Sequence, residues 1–154
     1  MRLVLATAIA LAMAGTASAQ EDLVIDQSRI YVTDPAACQA LEKKGFDAIF
    51  DSDFLILDFD HGIQSYEFQC SFHSITGREG SNQLFVNAIC EFPGELYPDI
   101  MAITPWGDET IQVVSSNELM WALSRAGGEI EPSDNPAGVS IYHRCDNLSE
   151  ISFD

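Results

Sequence analysis

Polar and apolar residues alternate most cleanly over positions 65–72, where Tyr66, Phe68, Cys70 and Phe72 share one side and Ser65, Glu67, Gln69 and Ser71 the other. A period of two marks a half-buried strand, because successive side chains of an extended chain point to opposite faces. The pattern recurs over residues 84–92, with Leu84, Val86, Ala88, Cys90 and Phe92 together and Asn87 and Glu91 opposed. Residues 76–82 between the two runs are polar and carry Gly77 and Gly80, so the spacing predicts an antiparallel hairpin with a medium-length loop. Matched parity places Cys70 and Cys90 on its core face, where a crosslink between them is expected.

The flanking segments extend this framework. Residues 29–32 have strand composition. Asp34 can cap a helix over residues 36–44 with Pro35 in its first turn, Lys43 and Lys44 at its negative end and Gly45 as its stop. Its buried side is expected to hold Cys38, Leu41 and Ala37. Residues 46–50 fit no period, and residues 51–53 read as a turn before residues 54–59, whose apolar run predicts a strand covered on both faces. A turn at Asp60, His61 and Gly62 completes an expected three-stranded meander over residues 54–92, which Pro93 and Gly94 break. A second hairpin comes next, with strands in residues 97–104 and 110–114. From Ser116 the period lengthens, predicting a helix over residues 118–126 capped by Asn117, with Leu119, Ala122, Leu123 and Ala126 on one stripe and Gly127 and Gly128 as its stop. Residues 129–138 read as an exposed loop. Residues 139–145 alternate again, with an expected inward face of Val139, Ile141, His143 and Cys145. The sum is an α+β fold, mainly antiparallel β, with about six or seven strands and one or two short helices, as a bent sheet or small barrel.

The N-terminus changes the setting. Met1 and Arg2, an apolar run over residues 3–14 and the small residues Ala17, Ser18 and Ala19 have the form of a signal peptide over residues 1–19, leaving residues 20–154 as a single exported domain. A periplasmic or secreted location is the expectation, with no membrane insertion after cleavage. Four cysteines in an oxidising compartment imply two disulfides. With Cys70 bonded to Cys90, Cys38 is left for Cys145, which ties the start of the domain to its end.

With Arg2 removed, six Lys and Arg face 24 Asp and Glu, a net charge of −18. A field of that sign excludes nucleic acid, whose phosphates need a basic stripe, and favours a basic protein or peptide as partner. No catalytic constellation stands out: a Gly-x-Ser-x-Gly turn, a phosphate-binding glycine loop and a Cys-x-x-Cys pair are all missing from the sequence. Asp51, Asp53, Asp58 and Asp60 invite calcium, but a loop starting at Asp58 has Gly62 in its fifth place and Gln69 in its twelfth, against the spacing an EF-hand needs. His61, His73 and His143 form a metal triad only if three separate elements converge. Tyr97 beside Pro98, and Trp106 beside Asp108 and Glu109, are aromatics in or beside turns, and they define the expected binding rim. The chain is similar in class to small exported, disulfide-bonded β proteins that inhibit lysozymes, which are basic targets. The short serine- and glycine-containing inhibitory loop of those proteins is missing, so no residue carries over. The expected function is an acidic, disulfide-stabilised binding protein, inhibitor-like, without cofactor or metal. A calcium-stabilised envelope component and a small periplasmic hydrolase are the alternatives.

Overall fold

The computed structural model describes residues 24–125 and 138–151. Eight antiparallel strands, each paired with its neighbours in sequence, close into a barrel: β1 (Ile30–Val32), β2 (Ile56–Asp58), β3 (Gly62–Gln64), β4 (Gln69–Gly77), β5 (Leu84–Phe92), β6 (Glu95–Gly107), β7 (Thr110–Ser115) and β8 (Val139–Cys145), with β8 returning to β1. Helix α1 (Ala37–Lys44) lies between β1 and β2, and helix α2 (Ser116–Arg125) between β7 and β8.

The hairpin expected from the alternation is the centre of the wall. Cys70 stands directly opposite Cys90 in the β4–β5 register, the two Cα atoms 3.9 Å apart, and they are disulfide-bonded. Strand β4 begins later than the alternation suggests, because residues 65–68 close a turn in which the Ser65 N–H donates to the Phe68 carbonyl at 2.7 Å. A bulge between Phe72 and Ser74 makes His73 the extra residue and returns Ile75 to the interior.

The expected three-stranded meander has four strands. The short β3 intervenes, and its tight approach to β4 depends on Gly62, at φ +100°, where a Cβ would fall on the Cys70 carbonyl oxygen. Pro93 and Gly94 do not break the sheet either. They form a two-residue turn, with Gly94 at φ +87°, so that Phe92 faces Glu95 and the meander runs on into β6.

Two cores share the same strands. Inside the barrel, Tyr31, Leu57, Val86, Met101, Val113 and Tyr142 pack around the Cys70–Cys90 bridge. Outside it, Ile30, Val32, Ile56 and Cys145 pack beneath α1, against Ala37 and Leu41. The dual coverage expected for residues 54–59 holds, with Ile56 on the outer side and Leu57 on the inner, both fully buried. It also corrects the parity of β8. Tyr142 is the inward residue, whereas Val139, Ile141, His143 and Cys145 occupy the outer face, and Cys145 is buried only because α1 covers it.

Helix α1 starts one residue later than expected, with Ala36 at its N-cap and no side-chain cap bond; the Asp34 carboxylate accepts the Ala36 N–H at 2.9 Å in the turn that precedes it, and the helix stops at Gly45, φ +60°. The segment without a period is a 3-10 helix over Gly45–Phe50. The Cys38–Cys145 disulfide pins α1 to β8. Two closed disulfides and no free cysteine among the described residues are the mark of an oxidising, extracytoplasmic compartment. The expected signal peptide, the expected helix stop at Gly127 and Gly128 and most of the expected 129–138 loop lie outside the described residues. No helix among those residues is long and apolar enough to cross a membrane.

Candidate functional site: an acidic groove with aromatic walls

Side chains fill the barrel interior, which keeps only about 20 Å³ of space near Tyr97, Asp99 and Tyr142, room for a single water. That space is too small for a ligand of the kind larger barrels enclose.

The polar groups at that end of the barrel have a structural task. Asp99, buried on the inner face of β6, accepts the Ser115 hydroxyl at 2.6 Å, the Ser116 hydroxyl at 2.8 Å and the Asn117 N–H at 3.0 Å. The Ser115 hydroxyl oxygen accepts the Glu118 N–H at 3.0 Å. Ser115, not Asn117, is thus the residue that caps α2, with Glu118 three residues on. Desolvation, reinforced by the Asp99 charge, pushes the Glu118 carboxyl above its usual range.

The open concave surface lies elsewhere. The end of the 3-10 helix with residues 51–54, the 65–68 turn and the end of β5 enclose a groove of about 700 Å³ lined by Phe50, Asp51, Asp53, Tyr66, Glu67 and Phe92. A second groove of about 530 Å³ shares Tyr66, Glu67 and Phe92 and adds Phe46, Glu91 and Pro93. Tyr66 and Phe92 are common to both, so together they form a two-sided saddle. Phe50, Tyr66 and Phe92 are 61%, 64% and 42% exposed, and the Phe50 and Tyr66 rings meet edge to face at 5.1 Å. Three large rings open to water in one place are unusual for a small domain, which makes the groove the candidate site. The charge of the grooves is of one sign: Asp51, Asp53, Glu67 and Glu91 line them, and among the described residues no Lys, Arg or His does. Lys44, at the end of α1, reaches in from outside and pairs with Asp51.

The rim expected from the sequence is dispersed. Trp106, 63% exposed, sits near the β6–β7 turn formed by Asp108 and Glu109. The carbonyls of those two residues accept the Arg144 Nη1 at 3.3 Å and the Arg144 backbone N–H at 2.7 Å, respectively. Those three residues are brought together. Tyr97 is nine residues back along β6, about 30 Å of extended chain, and turns inward to line the small cavity, its ring 5.8 Å from that of Trp121. Burial, then the Asp99 charge, raises the Tyr97 pKa.

The aspartates of residues 51–60 separate as well. Asp51 and Asp53 belong to the groove, while Asp58 accepts the Asp60 N–H at 2.8 Å and lies 2.9 Å from His61 Nδ1 in the β2–β3 turn. His73 is exposed on its bulge, and His143 is half-buried on the outer face opposite Val32. Among the described residues no group of three or more His, Cys, Asp or Glu is arranged to hold a metal ion.

Sequence reasoning missed Phe50, Tyr66 and Phe92 as surface residues. The criterion that selects Trp106, an aromatic beside turn-forming acids, applies equally to Phe50, which precedes Asp51, Ser52 and Asp53.

Fold and groove define a small disulfide-stapled β-barrel with a filled interior and an acidic, aromatic outer groove. Compared with known proteins, the chain matches no family model, no curated protein and no solved structure, so functional inference rests on this geometry.

Proposed function

We propose that the protein is a non-enzymatic binding protein of the periplasm or the extracellular medium. It engages a basic protein or peptide, inhibitor-like, through the saddle around Tyr66. The observation that carries this is the meeting of three exposed rings with four carboxylates on an open concave surface. The rings supply apolar area and stacking at little entropic cost, and the carboxylates select the sign of the partner. The acidic field of the whole chain adds long-range attraction and speeds encounter.

Purified cationic and neutral proteins of matched size, passed over the immobilised full chain, provide the test. Raising salt from about 20 mM to about 500 mM shortens the screening length from about 20 Å to about 4 Å and is expected to release the cationic ones. Tyr66→Ala is expected to weaken their binding at least about tenfold, as for a central aromatic anchor, whereas Trp106→Ala leaves it unchanged. Binding that ignores salt, or that tracks Trp106 instead of Tyr66, refutes the assignment to this groove.

A further inference from the structure

Resting on the function proposed above, the geometry points to an arginine side chain as the group the partner inserts. Its guanidinium lies against the Tyr66 ring in the larger groove, with its N–H edge toward the carboxylates of Asp51, Asp53 and Glu67.

The two kinds of wall, aromatic and acidic, jointly restrict the occupant. A purely apolar group would cover the carboxylates without pairing them, and burying an unpaired charge is costly. A divalent cation lacks a suitable cluster of ligands among the described residues. An ammonium group is a compact, strongly hydrated point charge, which gives up its water reluctantly against an aromatic ring. A guanidinium is planar and more weakly hydrated, stacks on an aromatic face, and presents several N–H groups at once. Carboxylates from two segments, residues 51–53 and residue 67, line the groove on which Tyr66 opens, and a planar fork can address several acceptors together. The Lys44–Asp51 pair shows that one of these carboxylates already takes a cation from the chain itself. Its half-exposed geometry makes it a weak contact that a better-matched cation can displace.

Two blocked peptides of equal length and charge test the inference, one carrying four arginines spaced by glycine and serine, the other its lysine twin. Each is titrated calorimetrically at low salt into the full-length mature chain, into Tyr66→Ala and Phe50→Ala, and into Trp106→Ala as a control. The arginine peptide is expected to bind about fivefold or more tightly than the lysine peptide, and the gap is expected to close in Tyr66→Ala and to narrow in Phe50→Ala. Both rings are exposed, so the variants should fold, which far-ultraviolet circular dichroism verifies. Equal binding of the two peptides overturns the arginine inference while leaving a groove for basic partners intact. A preference that survives both ring substitutions also overturns it, because the seat is then elsewhere. No binding of either peptide overturns the proposed function and this inference together.

Discussion

Asp99 is the residue on which the end of the barrel depends, and replacing it with alanine puts that dependence to a quantitative test. Its carboxylate receives three donors, the hydroxyls of Ser115 and Ser116 and the Asn117 N–H, all at the first turn of α2. A hydrogen bond to a charged group nets about 1.5–3 kcal/mol, and a carboxylate at a helix N-terminus adds about 0.3–1 kcal/mol. Against this stands the cost of holding a carboxylate that is only 4% exposed. The contributions share one acceptor and do not add, so a net loss of about 3 kcal/mol is expected for Asp99→Ala, a large part of the total of about 5–15 kcal/mol that domains possess. Asp99→Asn keeps one acceptor oxygen but sets an NH₂ group among donors, and is expected to cost about 2 kcal/mol. Urea unfolding monitored by tryptophan fluorescence measures both, with Trp121 on α2 reporting the region directly. A double-mutant cycle with Ser115→Ala should give a coupling of about 1 kcal/mol or more, since Ser115 links Asp99 to the Glu118 N–H. A loss below about 1 kcal/mol for Asp99→Ala, with no coupling to Ser115, would refute the assignment of Asp99 as the anchor of α2.

Two further outcomes are expected from the same structure. Removing Cys38–Cys145, whose partners are 107 residues apart, is expected to cost about 5 kcal/mol by loop-closure entropy, against about 3 kcal/mol for Cys70–Cys90, 20 residues apart; paired serine substitutions compared by thermal unfolding check the order, and a larger loss from the shorter loop would contradict it. Tyr31, Tyr97 and Tyr142 all have pKa values raised above the ordinary tyrosine value, chiefly by burial. The unfolded chain gives up those protons more readily than the folded one, so stability is fully present below about pH 10 and falls as pH rises above it. Ultraviolet titration should therefore show these phenols ionising together with alkaline unfolding; their ionisation with the fold intact would show that the burial penalty is small.

How much of the fold and groove was legible in the sequence depends on whether a local pattern had one structural meaning. The alternation around Cys70 and Cys90 did, because both strands pack one face on the barrel interior, and parity then dictated the crosslink. The same pattern over β8 had two meanings. Residues 139, 141, 143 and 145 do share a face, but alternation cannot say which side of a wall is the interior when α1 covers the other side. Pro93 and Gly94 were ambiguous for a related reason, since the same dipeptide ends a sheet or tightens a hairpin depending on whether the next residues pair back. Strand β3 left almost no trace, because three residues are too few to establish a period. The groove was the least legible feature. Tyr66 continues the alternation of β4 in sequence, yet it falls in the turn closed by Ser65 and Phe68, and its neighbour Phe50 is 16 residues away in the chain, a contact that no local pattern announces.

The two disulfides serve different parts of the molecule, and the division explains why the groove lies on the outside. Cys70–Cys90 sits inside the barrel, in a hairpin also held by a ladder that runs, with one bulge, from Gln69 opposite Glu91 to Gly77 opposite Leu84, so it reinforces a wall that backbone pairing already builds. Cys38–Cys145 acts on α1, which rests on the barrel through a small outer core that includes only Ala37 and Leu41 from the helix among its fully buried residues. The 3-10 helix begins at the residue that ends α1 and carries Ala48 and Ile49 into that outer core, which turns Phe50 outward beside Tyr66. One wall of the groove is thus set by how α1 is docked, and the other by the β3–β4 turn and the end of β5. A short helix held by two fully buried side chains would be a loose support for the groove wall. The bridge to β8 adds a covalent tie to that small outer core, and such a bridge persists where the compartment is oxidising. Compartment, staple and groove are therefore linked physically: an oxidising setting keeps the bridge, the bridge fixes α1, and the 3-10 helix that follows α1 carries the wall on which Phe50 stands.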